Sequence, residues 1–291
     1  MTNQEKNQIP EEKELIIVRG AGDLATGVIQ KFHRSGFRVL ILETSAPTAI
    51  RRSVAFCEAV YDGVAIVEGI TCRKISNIEE AKTCWDESTI PLLIDPDGDI
   101  ISQINPAAVI DAIMAKRNLG TKKSMANITI ALGPGFFAGE DVHVVIETLR
   151  GHDLGRMILK GNAKPDTGVP GEIAGESDRR VIHAPIAGVI THNKQIGDIV
   201  KQGEILFFIT NREESASTEA NKKTEVRAPI SGLLRGLIRE KTFVHKGMKV
   251  ADIDSRIDVD WRTISDKARC IGGAALEAYL YLKEVGKYND K

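Results

Sequence analysis

Leu15-Ile16-Ile17-Val18-Arg19-Gly20-Ala21-Gly22-Asp23-Leu24-Ala25-Thr26-Gly27 is the stretch on which the reading of this chain turns. Its first half is apolar and β-branched, the composition of a strand buried on both faces. Gly20, Gly22 and Ala25 then stand at the spacing G-x-G-x-x-G/A. In that pattern the glycines allow a tight turn and a close backbone approach to a phosphate, and a small third residue lets helix and strand pack closely. Leu24, Val28 and Phe32 recur at helical spacing, and Gly36 sits where a helix would end. A second apolar run closes on Glu43, where an acidic residue would accept a ribose hydroxyl. Asp23 cuts the other way, since a carboxylate in the first helical turn would repel a pyrophosphate bound there. Either the ligand sits off-axis, a metal intervenes, or the loop has diverged from plain dinucleotide binding.

Working outward, the 291 residues suffice for a sizeable core and for two domains. A formal net charge of −1 argues against a basic nucleic-acid surface, and aromatics at 5 % leave little for a base-stacking platform. Residues 1–13 are polar and read as a disordered tail without the apolar core of a signal peptide. No apolar run reaches the length of a membrane span. Cys57, Cys72, Cys84 and Cys270 are not at C-x-x-C spacing, so buried reduced thiols are expected, or one exposed thiol that carries sulfur or selenium.

Past Glu43, Arg51 and Arg52 could meet a ligand phosphate or belong to a solvated helix face. Asp95, Asp97 and Asp99 read as a polar turn at the end of a strand. Asn105-Pro106 predicts a helix over 107–117. Gly133-Pro134-Gly135 is a second glycine loop after a strand. Downstream, Arg150, His152 and Arg156 could hold an anionic group; the local spacing matches no metal motif, and no metal site is expected.

His183-Ala184-Pro185-Ile186-Ala187-Gly188 returns as Arg227-Ala228-Pro229-Ile230-Ser231-Gly232. This resembles the half-motif of the biotinyl and lipoyl carrier fold. The place of the carrier lysine is Asn221, so a prosthetic group is not expected, and the polar connection 210–225 reads as a mobile loop. The fold expected is α/β, with a Rossmann-like parallel sheet over 14–178, a barrel-sandwich (biotinyl/lipoyl-like) β domain over 179–256, and a C-terminal helix within 257–291 docking on the α/β part.

Four stretches together resemble the accessory-protein family of the selenium-dependent molybdenum hydroxylase system. They are the loop 19–27, the loop 132–139, Glu147-Thr148-Leu149-Arg150-Gly151-His152, and Asp266-Lys267-Ala268-Arg269-Cys270-Ile271-Gly272-Gly273. The resemblance implies a cytoplasmic maturation factor with a molybdenum hydroxylase as client. It implies a nucleotide, dinucleotide or molybdopterin cofactor at the glycine-rich loop, and no nucleic-acid or membrane partner. The residues expected to bind it are Gly20, Gly22, Asp23, Ala25, Glu43, Arg51, Gly133, Gly135, Arg150 and His152. Two other readings stay open: an NAD(P)-dependent oxidoreductase using His143 or His152 as general acid, and a non-catalytic scaffold that docks a client through the barrel.

Overall fold

The computed structural model describes residues 13–168, 178–211 and 223–289. The expected tail, most of the connection 210–225 with Asn221, and the end of the turn 167–171 lie outside the described residues.

In chain order the first part runs β1 (Leu15–Arg19), α1 (Asp23–Arg34), β2 (Arg38–Glu43), α2 (Ala59–Asp62), β3 (Val64–Val67), β4 (Ile70–Ile75), α3 (Glu80–Asp86), β5 (Ile90–Ile94) and α4 (Ile101–Ile104). It continues with β6 (Ala108–Asp111), β7 (Ile128–Leu132), β8 (Phe137–Ala138), β9 (Val144–Ile146), β10 (Met157–Ile158) and β11 (Gly161–Asn162). Nine of these strands form one sheet in the order β10-β9-β7-β6-β1-β2-β5-β4-β3. Neighbours from β9 to β4 are parallel, while the edge strands β10 and β3 run antiparallel. The order turns back at β1, which has β2 on one side and β6 on the other. The loops that leave the carboxyl ends of these strands therefore diverge around β1 and open a crevice there.

Each face of the sheet is apolar for a different cover. Ile16, Val18 and Ile41 face α1 and α5 (Asp266–Asn289), where Val28, Ile29, Phe32, Ile271 and Ala275 complete the core. Tyr279 closes this layer edge-on against Phe32 and Phe37, with ring centroids 5.7 and 5.2 Å away. Ile17, Leu40 and Leu42 face the other way, toward Ile75, Cys84 and Ile101. Full burial of each such aliphatic side chain stabilises by about 1.5–3 kcal/mol.

The second part holds β12 (Val181–His183), β13 (Gly188–His192), β14 (Ile199–Val200), β15 (Ile205–Thr210), β16 (Lys223–Arg227), β17 (Gly232–Leu237), β18 (Phe243–Val244) and β19 (Lys249–Asp254). They make two antiparallel four-stranded sheets, β12-β19-β17-β14 and β16-β15-β13-β18. The sequence repeat is visible here, because each strand of one sheet has its repeat-mate at the same place in the other. The two sheets share a core of their own that includes Ile190, Phe207, Leu234 and Ile253. Leu237 N–H donates to the Ile50 carbonyl at 2.8 Å, and Arg52 Nε donates to the Leu237 carbonyl at 2.8 Å. Arg239 grips Glu58 and Asp62, so this part is fastened to the large sheet.

The expected fold class needs correction. The structure is a mixed α/β fold, with one large, mainly parallel sheet and separate antiparallel sheets. A biotinyl/lipoyl-like barrel-sandwich is not shown, and the repeat alone does not supply one. Nor is the large sheet a regular Rossmann-like alternation, because most of its crossovers lack a helix of useful length. The helix expected over 107–117 is strand β6 followed by a loop. An apolar run this short suits strand and helix alike, and pairing on both sides with β1 and β7 makes it a strand.

Candidate functional site: a cationic crevice at the sheet edge

The floor of the crevice is the loop 20–22. Gly20 has φ +94°, and a Cβ there would lie 2.9 Å from the Ala112 carbonyl oxygen, so the loops after β1 and β6 touch backbone to backbone. Glu43, at the end of β2, does not reach outward. Its carboxylate accepts the Ala21 N–H at 2.8 Å and the Thr44 N–H at 2.7 Å. Burial nevertheless pushes its pKa up, against the pull of those two donors. Ala25 is buried in the first turns of α1.

Beneath the loop lies a buried polar core. Arg19, 1 % exposed, donates to Thr121 Oγ1 at 2.5 Å and to the Pro96 carbonyl at 2.8 Å. The Thr121 hydroxyl in turn donates to Asp111 at 2.6 Å. Asp95 caps the neighbouring turn by accepting from Gly98, Asp99 and Ile100 N–H. The loops after β1, β5 and β6 are thus tied to one guanidinium and cannot shift independently.

The next wall is strained. Met114 and Lys116 have φ +63° and +61°, and Gly133 and Gly135 have φ +73° and +109°. A non-glycine residue held left-handed costs about 1–2 kcal/mol. A Cβ on Gly135 would meet Arg117 backbone at 2.6 Å, and one on Gly133 would meet Thr148 Oγ1 at 2.6 Å. Gly133 and Gly135 therefore serve loop-on-loop packing.

Charged side chains ring the opening. Gly22 has open space where a Cβ would stand, and Asp23 opens α1 beside it. Arg51, only 8 % exposed, brings Nη1 within 3.7 Å of the Asp23 carboxylate and donates Nη2 to the Thr263 carbonyl at 3.3 Å. Its Nε is buried without a partner, and burial lowers its pKa despite Asp23 nearby. Lys249 on β19 and Lys267 in the first turn of α5 both feel the Asp23 charge, and Lys267 also feels Lys249. For both lysines burial is the main cause that lowers the pKa. Lys249 is exposed at the start of β19.

The other cations nearby have carboxylate partners. Arg150 makes a two-bond pair with Asp266, both at 2.8 Å. Arg180 and Arg235 hold Asp252, Arg235 and Arg256 hold Asp254, and Lys116 holds Asp166. Among the described residues, Lys249 and Lys267 make no ion pair or side-chain hydrogen bond.

Gly20, Gly22, Asp23, Glu43 and Arg51 thus come together, with Gly133 and Gly135 in the adjoining wall. Arg150 is spent on Asp266, and His152 is exposed in a turn with no bond to the rest. Sequence reasoning missed Lys249 and Lys267 as site residues. One sign was present, because a lysine in the first turn of a helix opposes the macrodipole. A cleft of about 370 Å³ opens elsewhere, between β3 and Trp261, but its charged lining residues Arg52, Glu58 and Asp62 are already paired. No helix among the described residues is long and apolar enough to cross a membrane.

No family model matches this chain. YqeB of Escherichia coli K12, itself uncharacterised, is 45 % identical over 278 residues, covering 95 % of this chain and 49 % of the relative. The chain thus spans about half the length of the curated relative it matches. Among solved structures, a succinylglutamate desuccinylase from a Silicibacter species is similar at TM-score 0.26 and 11 % identity, covering 83 % of this chain and 84 % of that one. An aspartoacylase family protein from Mesorhizobium loti gives TM-score 0.28 and 11 % identity, covering 83 % and 85 %. The ectoine utilization protein EutE (DoeB) from Ruegeria pomeroyi gives 0.25 and 12 %, covering 77 % and 61 %. Likeness at this level carries neither fold nor activity to this chain.

These findings correct the functional expectation. What the comparisons return are desuccinylase and aspartoacylase proteins and an uncharacterised relative, not an accessory protein of the molybdenum hydroxylase system. The maturation-factor reading, with its selenium chemistry, hydroxylase client and nucleotide or molybdopterin ligand, is not kept. The oxidoreductase and docking-scaffold alternatives gain nothing from them either. The structure supplies a physical reason. Gly20, Gly27, Gly133, Gly135 and Gly272 of the motifs behind the resemblance are occupied with packing, and the acid meant for a ribose is bound to the loop's own amide.

Proposed function

We propose that the protein binds a small dianionic molecule, carrying carboxylate or other oxyanion groups, in the crevice between Asp23, Arg51, Lys249 and Lys267. The observation that carries this reading is the pair of lysines without carboxylate partners. Arg51 faces Asp23 and the surrounding arginines hold carboxylates, whereas the two lysines feel Asp23, with Asp252 or Glu147, without forming an ion pair. Like charges that share a site repel, and an anion of charge −2 offsets that repulsion. The open space above Gly22 leaves room beside the start of α1.

A small ligand also agrees with a chain of net charge −1. The separate apolar cores support treating 14–178, 179–256 and 257–291 as the working divisions of the chain, the last completing the first. Four unpaired cysteines, Cys270 among them exposed, support a reducing, cytoplasmic location.

The test is isothermal titration calorimetry with inorganic phosphate, sulfate and succinate at neutral pH. At least one should bind, and Lys249→Ala and Lys267→Ala should each weaken it about tenfold or more, the loss of one charge-assisted contact. Absence of heat and of any thermal stabilisation with all three anions at millimolar concentration would overturn the reading.

A further inference from the structure

Strand β3 ends one side of the large sheet, and among the described residues no strand pairs with its outer edge. Its pairing with β4 fixes which groups that edge presents. Lys74 N–H donates to the Gly63 carbonyl at 2.8 Å, so Gly63 and Lys74 form a hydrogen-bonded pair just before the strand. Bonded and non-bonded pairs alternate along an antiparallel ladder. With Val64 opposite Arg73 and Ile66 opposite Thr71, the bonds to β4 fall on Ala65 and Val67. The N–H and C=O groups of Val64 and Ile66 therefore point away from β4, and among the described residues they meet no hydrogen-bond partner. The Val64 and Ile66 side chains are 43 % and 65 % exposed. Val64-Ala65-Ile66-Val67 carries no charge, proline or bulge, the devices that usually guard an edge.

This edge opens onto the cleft of about 370 Å³ beside Trp261. Successive side chains of a strand point to opposite faces, so a cleft lined by all four residues 64–67 runs along the edge of the strand. Arg52 and Ser53 line it as well, as do Gln195, Ile196 and Trp261. These residues stand where a second sheet would have to lie, so the space suits one extended segment. The hairpin is also held ready for it. Glu68 and Gly69 have φ +47° and +78°, the left-handed pair of a two-residue type I′ turn. The Glu68 carboxylate accepts from the Gln30 side chain at 2.7 Å and the Ile264 N–H at 2.9 Å, and it pairs with Arg269. A segment that docks here meets an edge already in place, which lowers the ordering cost of binding.

Charge selects the chemistry of the occupant. Arg52 donates to the Leu237 carbonyl and lies 3.6 Å from Glu58, while Arg239 holds both Glu58 and Asp62. A charged side chain entering the cleft would find these counter-charges engaged. An uncharged β-branched side chain would gain cross-strand contact with Val64 and Ile66. The cleft shares no lining residue with the anion crevice, so the two sites can fail or stand separately.

We propose that the outer edge of β3 docks an extended, uncharged and apolar peptide segment of a partner protein, which adds to the large sheet as a further strand. Main-chain bonds carry the affinity in such docking, so a generic strand-forming peptide must register. The probe is a fluorescent, capped Thr-Val-Thr-Val-Thr peptide with a lysine at each end for solubility, titrated with the full chain and read by fluorescence anisotropy. It should bind saturably, and the same peptide with glutamate for valine should bind about tenfold more weakly or worse. Ile66→Pro removes an outward N–H while sparing the bonds to β4, and it should weaken binding about tenfold or more. Ile66→Lys should do the same by placing a charge against the docked strand, and it keeps the test open if proline unfolds the hairpin. Circular dichroism should find the Ile66→Lys variant folded. Absence of saturable binding at protein concentrations up to about 1 mM overturns the proposal. So does binding that neither variant disturbs. A wild-type dimer in sedimentation velocity that Ile66→Lys disperses would assign the edge to a second copy of the chain and overturn it too.

Discussion

Gly27 of α1 and Gly272 of α5 meet with no side chain between them: a Cβ on Gly272 would stand 2.4 Å from the Gly27 carbonyl oxygen. The contact is mutual, since a Cβ on Gly27 would stand 2.4 Å from the carbonyl oxygen of Ala268. One added methyl on either helix must push the helices apart. Gly27→Ala and Gly272→Ala should each destabilise by about 1–3 kcal/mol, the usual cost of overpacking. Gly273→Ala meets open space and should leave the fold no less stable. Urea unfolding followed by circular dichroism separates the two outcomes.

Glu43 gives a signed pH effect. Its pKa is raised in the folded protein, chiefly by burial. In the window between the ordinary glutamate value and the raised one, the folded chain holds a proton that the unfolded chain has lost. The contribution is fully present below that window and is lost as pH rises through the folded pKa. Glu43→Gln should flatten the plot of melting temperature against pH in that range. Glu43→Ala leaves the Ala21 and Thr44 amides without their acceptor and should cost about 1–3 kcal/mol more than the glutamine variant. A melting profile unchanged by Glu43→Gln would refute the assignment.

Arg150 and Asp266 can be followed by NMR titration. The hydrogen bonds from Arg150 hold the Asp266 carboxyl well below the usual aspartate range. Arg150→Gln should return it toward that range. The Asp266 contribution to stability is present above the ordinary aspartate pKa and is lost as pH falls through the depressed one, so the variant should lose it at a higher pH. Asp266 is mostly exposed, and screening keeps the effect on stability small.

The crevice should show its charge in the pH dependence of anion binding. Lys249 and Lys267 have lowered pKa values, so each loses its charge before an ordinary lysine would. Affinity for the probe anion should fall as pH rises through the lowered lysine values. Asp23→Asn removes the one carboxylate that faces both ammonium groups, and it should tighten binding by several-fold. Weaker binding in that variant would make Asp23 a direct ligand contact instead. Calorimetry from neutral pH up toward the ordinary lysine pKa of about 10.4 reads both effects.

The elements legible in the sequence were those with a period. Strand 15–19, helix 23–34 and strand 38–43 follow from an apolar run, a helical stripe and a second run. The helix over 266–289 follows from its alanine face. The segment after Asn105 misled because Ala107-Ala108-Val109-Ile110 is apolar throughout, and its conformation is decided by pairing with β1 and β7. Glu43 was placed correctly at the end of β2, yet its partner is its own loop, a hydrogen bond that no spacing rule encodes. Asp23 and Arg51 were legible as neighbours of the glycine loop, and the structure brings them within 3.7 Å of each other. Lys249 was not, because it reaches the crevice from a strand of the other part of the chain.

The residues of the crevice are scattered along the chain. Asp23 belongs to α1, whereas Lys249 and Lys267 arrive with β19 and α5, more than two hundred residues later. A ribosome releases the amino end first, so a growing chain can complete β1, α1 and β2 while the crevice does not yet exist. The proposed anion then has nothing to hold until β19 and α5 have been made and have folded back on α1. Occupancy would therefore discriminate chains that have joined these parts from chains that have not, and anion in the surrounding medium would lengthen the survival of the joined ones against proteases.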